Sequence, residues 1–259
     1  PYGSDITVLQ QVIRRLKRSK FIDTIVIATT TESEDERIIK IADYESVRWF
    51  RGSKEDVLSR YYFAAKEISS DIIVRITSDC PCIDPDVVDR GVKMHIDDGA
   101  DYTSNCRVRS FPHGLDFEVI SFEVLEKAYK EALSKYDREH VCPYIYGTKG
   151  FKLSDLLAEE SEKGEDIRIT LDTIEDYALL ASVYDYLYEK DNFFDVKEIV
   201  NLFKNKPWLK LINLKVVQKR SYHSLEDELM EGLKLLKLQD MENAAEYLGK
   251  IIREIKGSK

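Results

Sequence analysis

Two aspartates stand where apolar runs stop. The run Asp71-Ile72-Ile73-Val74-Arg75-Ile76-Thr77 gives way to Ser78-Asp79, and Ile167-Arg168-Ile169-Thr170-Leu171 gives way to Asp172. In open α/β sheets, ligands gather at the carboxyl ends of parallel strands. Asp79 and Asp172 are therefore expected to converge at one sheet edge despite their distance in sequence. Such hard oxygen donors suit Mg²⁺, which takes one or two protein carboxylates and keeps water and substrate phosphates for the rest of its shell. A plainer role competes at each position, because an aspartate just ahead of a helix can serve as its N-cap. Asp172 with Glu175 has the look of an acidic first turn, whereas Asp79 has no helix directly behind it.

Four further groupings carry polar chemistry. In Phe50-Arg51-Gly52-Ser53-Lys54-Glu55-Asp56 a strand ends, a Gly-Ser turn comes next and a helix begins. The N–H groups of that helix start, with Arg51, suit a phosphate or the edge of a base; the plainer reading is Ser53 as N-cap with Asp56 at N3. In Pro112-His113-Gly114-Leu115-Asp116-Phe117-Glu118 the two acids alternate and so share one face of a strand. There they would meet sugar hydroxyls, assist a base, or form a solvated sheet face. Arg138-Glu139-His140 sets three polar groups together shortly before Pro143. Cys80 and Cys82 form a C-x-C pair with no second pair to complete four zinc ligands. They also lack the C-x-x-C spacing of a redox site, so structural thiols are expected. Histidines at 95, 113, 140 and 223 match no zinc spacing, and there is no Walker A, G-x-S-x-G or G-x-G-x-x-G motif.

The elements that must position these groups are read from periodicity. Asp5 is placed to cap a helix with Ile6, Leu9, Val12, Ile13 and Leu16 on one face. A strand is expected over Thr24–Thr29, a helix opened by a Ser33/Glu36 capping box, a strand over Val47–Phe50, a helix over Glu55–Ser69, a strand over Asp71–Thr77 and a helix from Pro85 to Asp97. Alternation of this kind predicts βαβ units and an α/β fold built on a doubly wound, mostly parallel sheet. Beyond residue 100, strands are expected at 101–105, 115–119 and 167–171, with helices at 122–134, 138–146, 174–189 and 196–203. A C-terminal helical hairpin, Ser224–Leu238 and Met241–Ile255, closes the chain. The boundary is placed near residue 218, giving a catalytic body of 1–218 and a helical tail of 219–259. That tail has two readings, docking on its own body or forming a homodimer or partner contact.

Composition narrows the partners. The chain has 259 residues, 43% hydrophobic and 34% charged, with a net charge of −9. An acidic chain of this kind is a poor nucleic-acid binder. No apolar run approaches the ~18 residues of a membrane span, no secretory signal is visible, and four scattered cysteines suit a reducing cytoplasm.

Taken in order, FRGSKEDVLSRYY (50–62), VRITSDCPCIDPDVVD (74–89), FPHGLDFEVISFEVLEKA (111–128), REHVCPYIY (138–146) and RITLDTIEDYALL (168–180) resemble the SpsF-type cytidylyltransferase-like family of spore-coat polysaccharide biosynthesis, relatives of CMP-sialic acid and CMP-Kdo synthetases. The resemblance implies a nucleotide-diphospho-sugar transferase-like fold. It also implies Mg²⁺-dependent transfer of CMP from CTP to an acidic sugar or small hydroxylated acid, with pyrophosphate released. It assigns Asp79 and Asp172 to the metal and Arg75 to the same pocket. Arg51, Gly52, Ser53 and Asp56 fall beside the nucleotide. His113, Asp116 and Glu118 fall beside the acceptor, joined by Glu139 and His140 with a less defined role. Family members open with a strand and a Gly-rich basic loop ahead of the position of Pro1, and Pro1-Tyr2-Gly3-Ser4 resemble the residues just after that loop. Omission of such a segment, or its loss together with activity, is therefore expected. A glycosyltransferase using a nucleotide sugar and a non-catalytic nucleotide-binding scaffold are the alternatives.

Overall fold

A computed structural model describes residues 6–188, 193–216 and 225–257. The Pro1–Ser4 stretch, the Asp5 cap, the Glu189 helix end, His223 and the start of the C-terminal hairpin at Ser224 lie outside the described residues. The chain divides into two compact units between Ile212 and Asn213.

In the larger unit the first helix, α1 (Val8–Leu16), is capped by Thr7 in a reciprocal box with Gln10. Strand β1 (Val26–Thr30) is followed by α2 (Glu36–Tyr44) and β2 (Arg48–Gly52). The two strands pair in parallel, Thr30 opposite Gly52. Then come α3 (Val57–Glu67), β3 (Ile72–Arg75), α4 (Pro85–Asp98) and β4 (Tyr102–Ser104). After a long excursion come β5 (Glu118–Ser121), α5 (Phe122–Glu131), α6 (Lys135–His140), α7 (Pro143–Gly147) and β6 (Leu153–Asp155). Helices α8 (Ile174–Leu187) and α9 (Val196–Asn205) complete the unit, with a short 3-10 turn over Pro207–Leu211.

The four later strands form a mixed sheet in the order β3-β5-β4-β6. β4 and β6 are parallel, while β5 runs antiparallel to both of its neighbours. Strands β4 and β5 are consecutive with no helix between them, and such neighbours reverse direction. β3 and β4, linked through α4, keep the parallel sense with β5 inserted between them. Among the described residues β1 pairs only with β2 and β3 only with β5. A cavity of about 920 Å³ is lined by both strands and by residues of α1 and α3.

Alternate residues of β5 feed two cores, as the two-residue repeat of a strand requires. Val119 joins residues of α1, α4, α8 and α9. Ile120 joins residues of α3, α5 and α7. In the smaller unit α10 (Leu225–Leu238) and α11 (Glu242–Gly257) pack together, Gly232 facing Leu248.

Local chemistry moved several boundaries from their expected places. Ser33–Asp35 is a 3-10 turn and α2 starts at Glu36 without a side-chain cap. Asp35 turns back instead, accepting from the Thr29 hydroxyl and from Thr30 N at 2.7 and 2.9 Å. The single helix expected over 138–146 is two, because Pro143 has no N–H to continue it and Val141 adopts φ 72°. The strand expected at 167–171 reduces to a parallel bridge between His113 and Arg168. β6 escaped the sequence because three residues give too short a pattern to read.

Candidate functional site

The competing cap readings of the two aspartates are settled by the caps themselves. Helix α8 is capped by Thr173, whose hydroxyl accepts from Asp176 N while the Asp176 carboxylate accepts from Thr173 N. Helix α4 is capped by Asp84, which accepts from Asp86 N at 2.9 Å. Neither Asp79 nor Asp172 is used to start a helix.

Three segments are clamped together at this place. Leu171 N donates to Asp79 O at 2.9 Å, and the Thr170 hydroxyl donates to Asp79 Oδ2 at 2.9 Å. His113 N donates to Ile167 O at 2.9 Å, and Ile169 N donates to His113 O at 2.7 Å. Gly114 makes this approach feasible. At φ +111° it lies so close that a Cβ would stand 2.5 Å from Ile169 O. The segments 77–80, 112–116 and 167–176 therefore share one locus, and Asp79, Asp172, His113 and Asp116 are brought to it.

Arg168 sits at the hub. Its Nε and Nη2 donate to the two oxygens of Asp176 at 3.0 and 2.9 Å, Nη2 also donates to Asp172 Oδ2 at 2.6 Å, and Nη1 lies 3.3 Å from His113 Nδ1. The Asp176 side chain is fully buried, while that of Asp172 is 53% exposed. Nearby, Arg109 grips Asp116 with two parallel bonds of 2.6 and 2.8 Å, the strong planar geometry of a guanidinium on a carboxylate. His113 Nε2 lies 3.8 Å from Asp116 Oδ2. Burial pushes the His113 pKa below the ordinary imidazole value; Arg109 and Arg168 push the same way, against Asp116 and Asp79.

Asp79 and Asp172 lie on adjoining segments joined by the Leu171 N to Asp79 O bond. Among the described residues they belong to no group of three or more His, Cys, Asp or Glu placed for a metal. Asp79 is half-buried and the Asp172 side chain is 53% exposed; two carboxylates suit Mg²⁺ with water and phosphate as its other ligands and are a poor match for a closed tetrahedral zinc site.

The remaining predicted residues serve more varied ends. Arg51 is a staple: its Nε donates to Thr30 O at 2.9 Å, Nη2 to Glu32 O at 3.0 Å, and it pairs with Glu36. Gly52 lets the stem of Arg60 cross β2, since a Cβ would lie 2.7 Å from Arg60 Cγ. Ser53 accepts from Asp56 N at 3.0 Å, and Asp56, not Ser53, caps α3 by accepting from Ser59 N at 3.0 Å. Arg75 lines the cavity between β1 and β3. It is ion-paired to Glu118, which also accepts from the buried Tyr102 hydroxyl at 2.7 Å. Glu118 thus lies in a buried pair across β3 and β5, while Asp116 lies in the His113 cluster. Glu139 and His140 are exposed on α6, and among the described residues no hydrogen bond or ion pair joins them to that cluster. The anchored member of their block is Arg138, whose guanidinium holds Asp56 and donates to Tyr129 O at 2.7 Å. Cys80, Cys82 and Cys142 are buried free thiols. Burial pushes that of Cys82 up to about 12.

Arg168, Asp176, Arg109 and Thr170 were not singled out in the sequence. The i, i+4, i+8 spacing of Arg168, Asp172 and Asp176 was the available signal for the first two. Arg109 and Thr170 had none, being tied to Asp116 and Asp79 only by the fold.

A profile of the family described as Cytidylyltransferase matches residues 4–227. An uncharacterized protein of Methanocaldococcus jannaschii is 40% identical over 224 residues, covering 86% of this chain and 90% of its own. The spore coat polysaccharide biosynthesis protein SpsF of Bacillus subtilis is 30% identical over 213 residues, covering 80% and 87%. Among solved structures, a cytidylyltransferase from Leptospira borgpetersenii superimposes with a TM-score of 0.75 at 34% identity, over 85% of this chain and 90% of that one.

Proposed function

The chain belongs to the cytidylyltransferase family, and from that premise we propose that it transfers CMP from CTP to a hydroxyl of an acidic sugar or small hydroxylated acid. It is a nucleotidyltransferase; the acceptor and the metal are the proposed parts. In the proposed step an acceptor oxygen bonds to the α-phosphorus of CTP as the bond to the bridging oxygen breaks. Pyrophosphate leaves with that electron pair, and the hydroxyl proton passes to solvent.

What supports the reading most is the clamp of Leu171 and Thr170 onto Asp79, with both aspartates free of capping duty. Asp79 and Asp172 would hold Mg²⁺, which when bound neutralises phosphate charge and orients the reacting groups. The side chains around them supply position. Thr170 fixes the Asp79 carboxylate, and the buried Asp176 fixes Arg168 against Asp172. Arg75 is proposed for the nucleotide, with Arg51, Gly52, Ser53 and Asp56 shaping the edge of its site. His113 and Asp116 are proposed for the acceptor, with Glu118, Glu139 and His140 as outlying candidates. A homodimer in the cytoplasm belongs to the same proposal; among the described residues no helix is long and apolar enough to cross a membrane.

The test is a pyrophosphate-release assay with CTP, Mg²⁺ and a panel of hydroxylated acids and sugar acids. Turnover is expected to fall at least about 100-fold in Asp79→Asn and on chelation of the metal. Release of a nucleoside diphosphate from a nucleotide sugar would favour glycosyl transfer instead. Absence of turnover with every nucleotide would overturn the proposal.

A further inference from the structure

An arginine can only donate hydrogen bonds, and an imidazole nitrogen that faces one must accept. Arg168 Nη1 lies 3.3 Å from His113 Nδ1. The contact is not a chance of side-chain drift. The backbones of residues 113 and 168 are bridged, with His113 bonded to both Ile167 and Ile169. The guanidinium is pinned from the other side by two bonds to the fully buried carboxylate of Asp176. That carboxylate also accepts from Asp172 N and Thr173 N at 3.1 and 3.2 Å, which ties the same anchor to the proposed metal loop.

We infer that Arg168 is a positioning residue: locked by Asp176, it holds Asp172 with one terminal nitrogen and with the other fixes His113 as the Nε2–H tautomer, a neutral hydrogen-bond donor. The inference rests on the acceptor-binding reading of His113 and adds the polarity of the group that meets the acceptor. With Nδ1 occupied as an acceptor, the ring proton resides on Nε2, on the side of Asp116 and Arg109. A donor there recognises a hydroxyl or carboxylate oxygen of the acceptor; it does not abstract that hydroxyl's proton. Among the described residues the charged groups around the ring include Arg168, Arg109, Asp116 and Asp79, and burial with the two arginines disfavours a second proton.

The test is nitrogen NMR on the full chain labelled in its four histidines, with His113 assigned by its loss in His113→Gln. The expected spectrum has a pyridine-type signal at Nδ1 and a pyrrole-type signal at Nε2. Arg168→Met should scramble the tautomer, lower kcat about 10- to 100-fold as a lost outer support does, and raise the acceptor KM more than the KM for CTP. Arg168→Lys, which keeps a donor and a charge, should restore part of both. Should Arg168→Met fail to fold through its uncovered Asp176, the wild-type spectrum with that of Arg168→Lys still decides. A protonated Nδ1 in the wild type, or an unchanged tautomer in a folded Arg168 variant, would overturn the inference while leaving cytidylyl transfer intact. Failure of CTP turnover with the expected tautomer present would instead strike at the proposed function.

Discussion

The acids in this chain are separated by what surrounds them. Glu118 is 7% exposed and shared by Arg75 and Tyr102, so its role as a charge partner dominates. Glu118→Gln strands a guanidinium in the sheet. Stability is expected to fall by roughly 3–5 kcal/mol, the usual effect of breaking a buried ion pair, as read from denaturant unfolding. An unchanged stability with a raised acceptor KM would restore the acceptor role. His95 is a second buried group with a fixed duty. Its Nε2 lies 3.1 Å from the Ser121 hydroxyl, which donates to Ala100 O, and its Nδ1 lies 3.1 Å from the Thr103 hydroxyl. Burial lowers its pKa, opposed by Asp101. The unfolded chain then takes up that proton more readily than the folded one. Stability is complete at neutral pH and declines as pH falls through and below the ordinary imidazole value of about 6.5. Unfolding titrations between pH 7 and 5 should show a shallower slope in His95→Gln. The slope should not vanish, because His113 is shifted in the same direction. At this scale Asp79 and Asp172 were legible because a polar residue ending an apolar run stands out. The commitment of Glu118 was not, because its partner Arg75 is chosen by strand register.

At the scale of elements, the site hangs on one glycine and one cap. Gly114 lets the 112–116 loop lie against residues 167–170. Gly114→Ala meets both an unfavourable φ and a carbonyl at 2.5 Å. A loss of about 1–3 kcal/mol is expected for the strained backbone. Turnover should drop further than the loss of folded protein explains, because His113 and Ile169 move apart. Equal losses in the two would show that the loop has no catalytic bearing. The βαβ alternation of the first half was readable, since buried strands there form continuous apolar runs. The cap of α8 stayed open in the sequence: Asp172 and Thr173 are both good caps by type, and only the backbone decides that Thr173 is the one. The antiparallel turn of β5 arose from a connection without a helix, a weaker signal than hydrophobic period.

For the whole molecule, the division between Ile212 and Asn213 separates every candidate site residue from the C-terminal hairpin. A chain ending at Ile212 is expected to retain its thermal transition and its turnover with CTP. Loss of turnover with the fold intact would give the hairpin a part in catalysis. The family likeness was legible from five short blocks, two of which carry a glycine with a steric requirement, Gly52 under Arg60 and Gly114 against Ile169. The acceptor was not, since pocket shape comes from side chains spread along the chain. The clamp has a kinetic side as well. The Thr170 to Asp79 bond joins residues 91 apart and the Arg168 to His113 contact joins residues 55 apart. Contacts of such separation carry the loop-closure entropy of the intervening chain and form late in folding. The proposed catalytic centre is thus a seam closed late by contacts distant in sequence, so a partly folded chain with all its helices in place would still be inert. Recovery of activity on dilution from denaturant should trail recovery of helical signal.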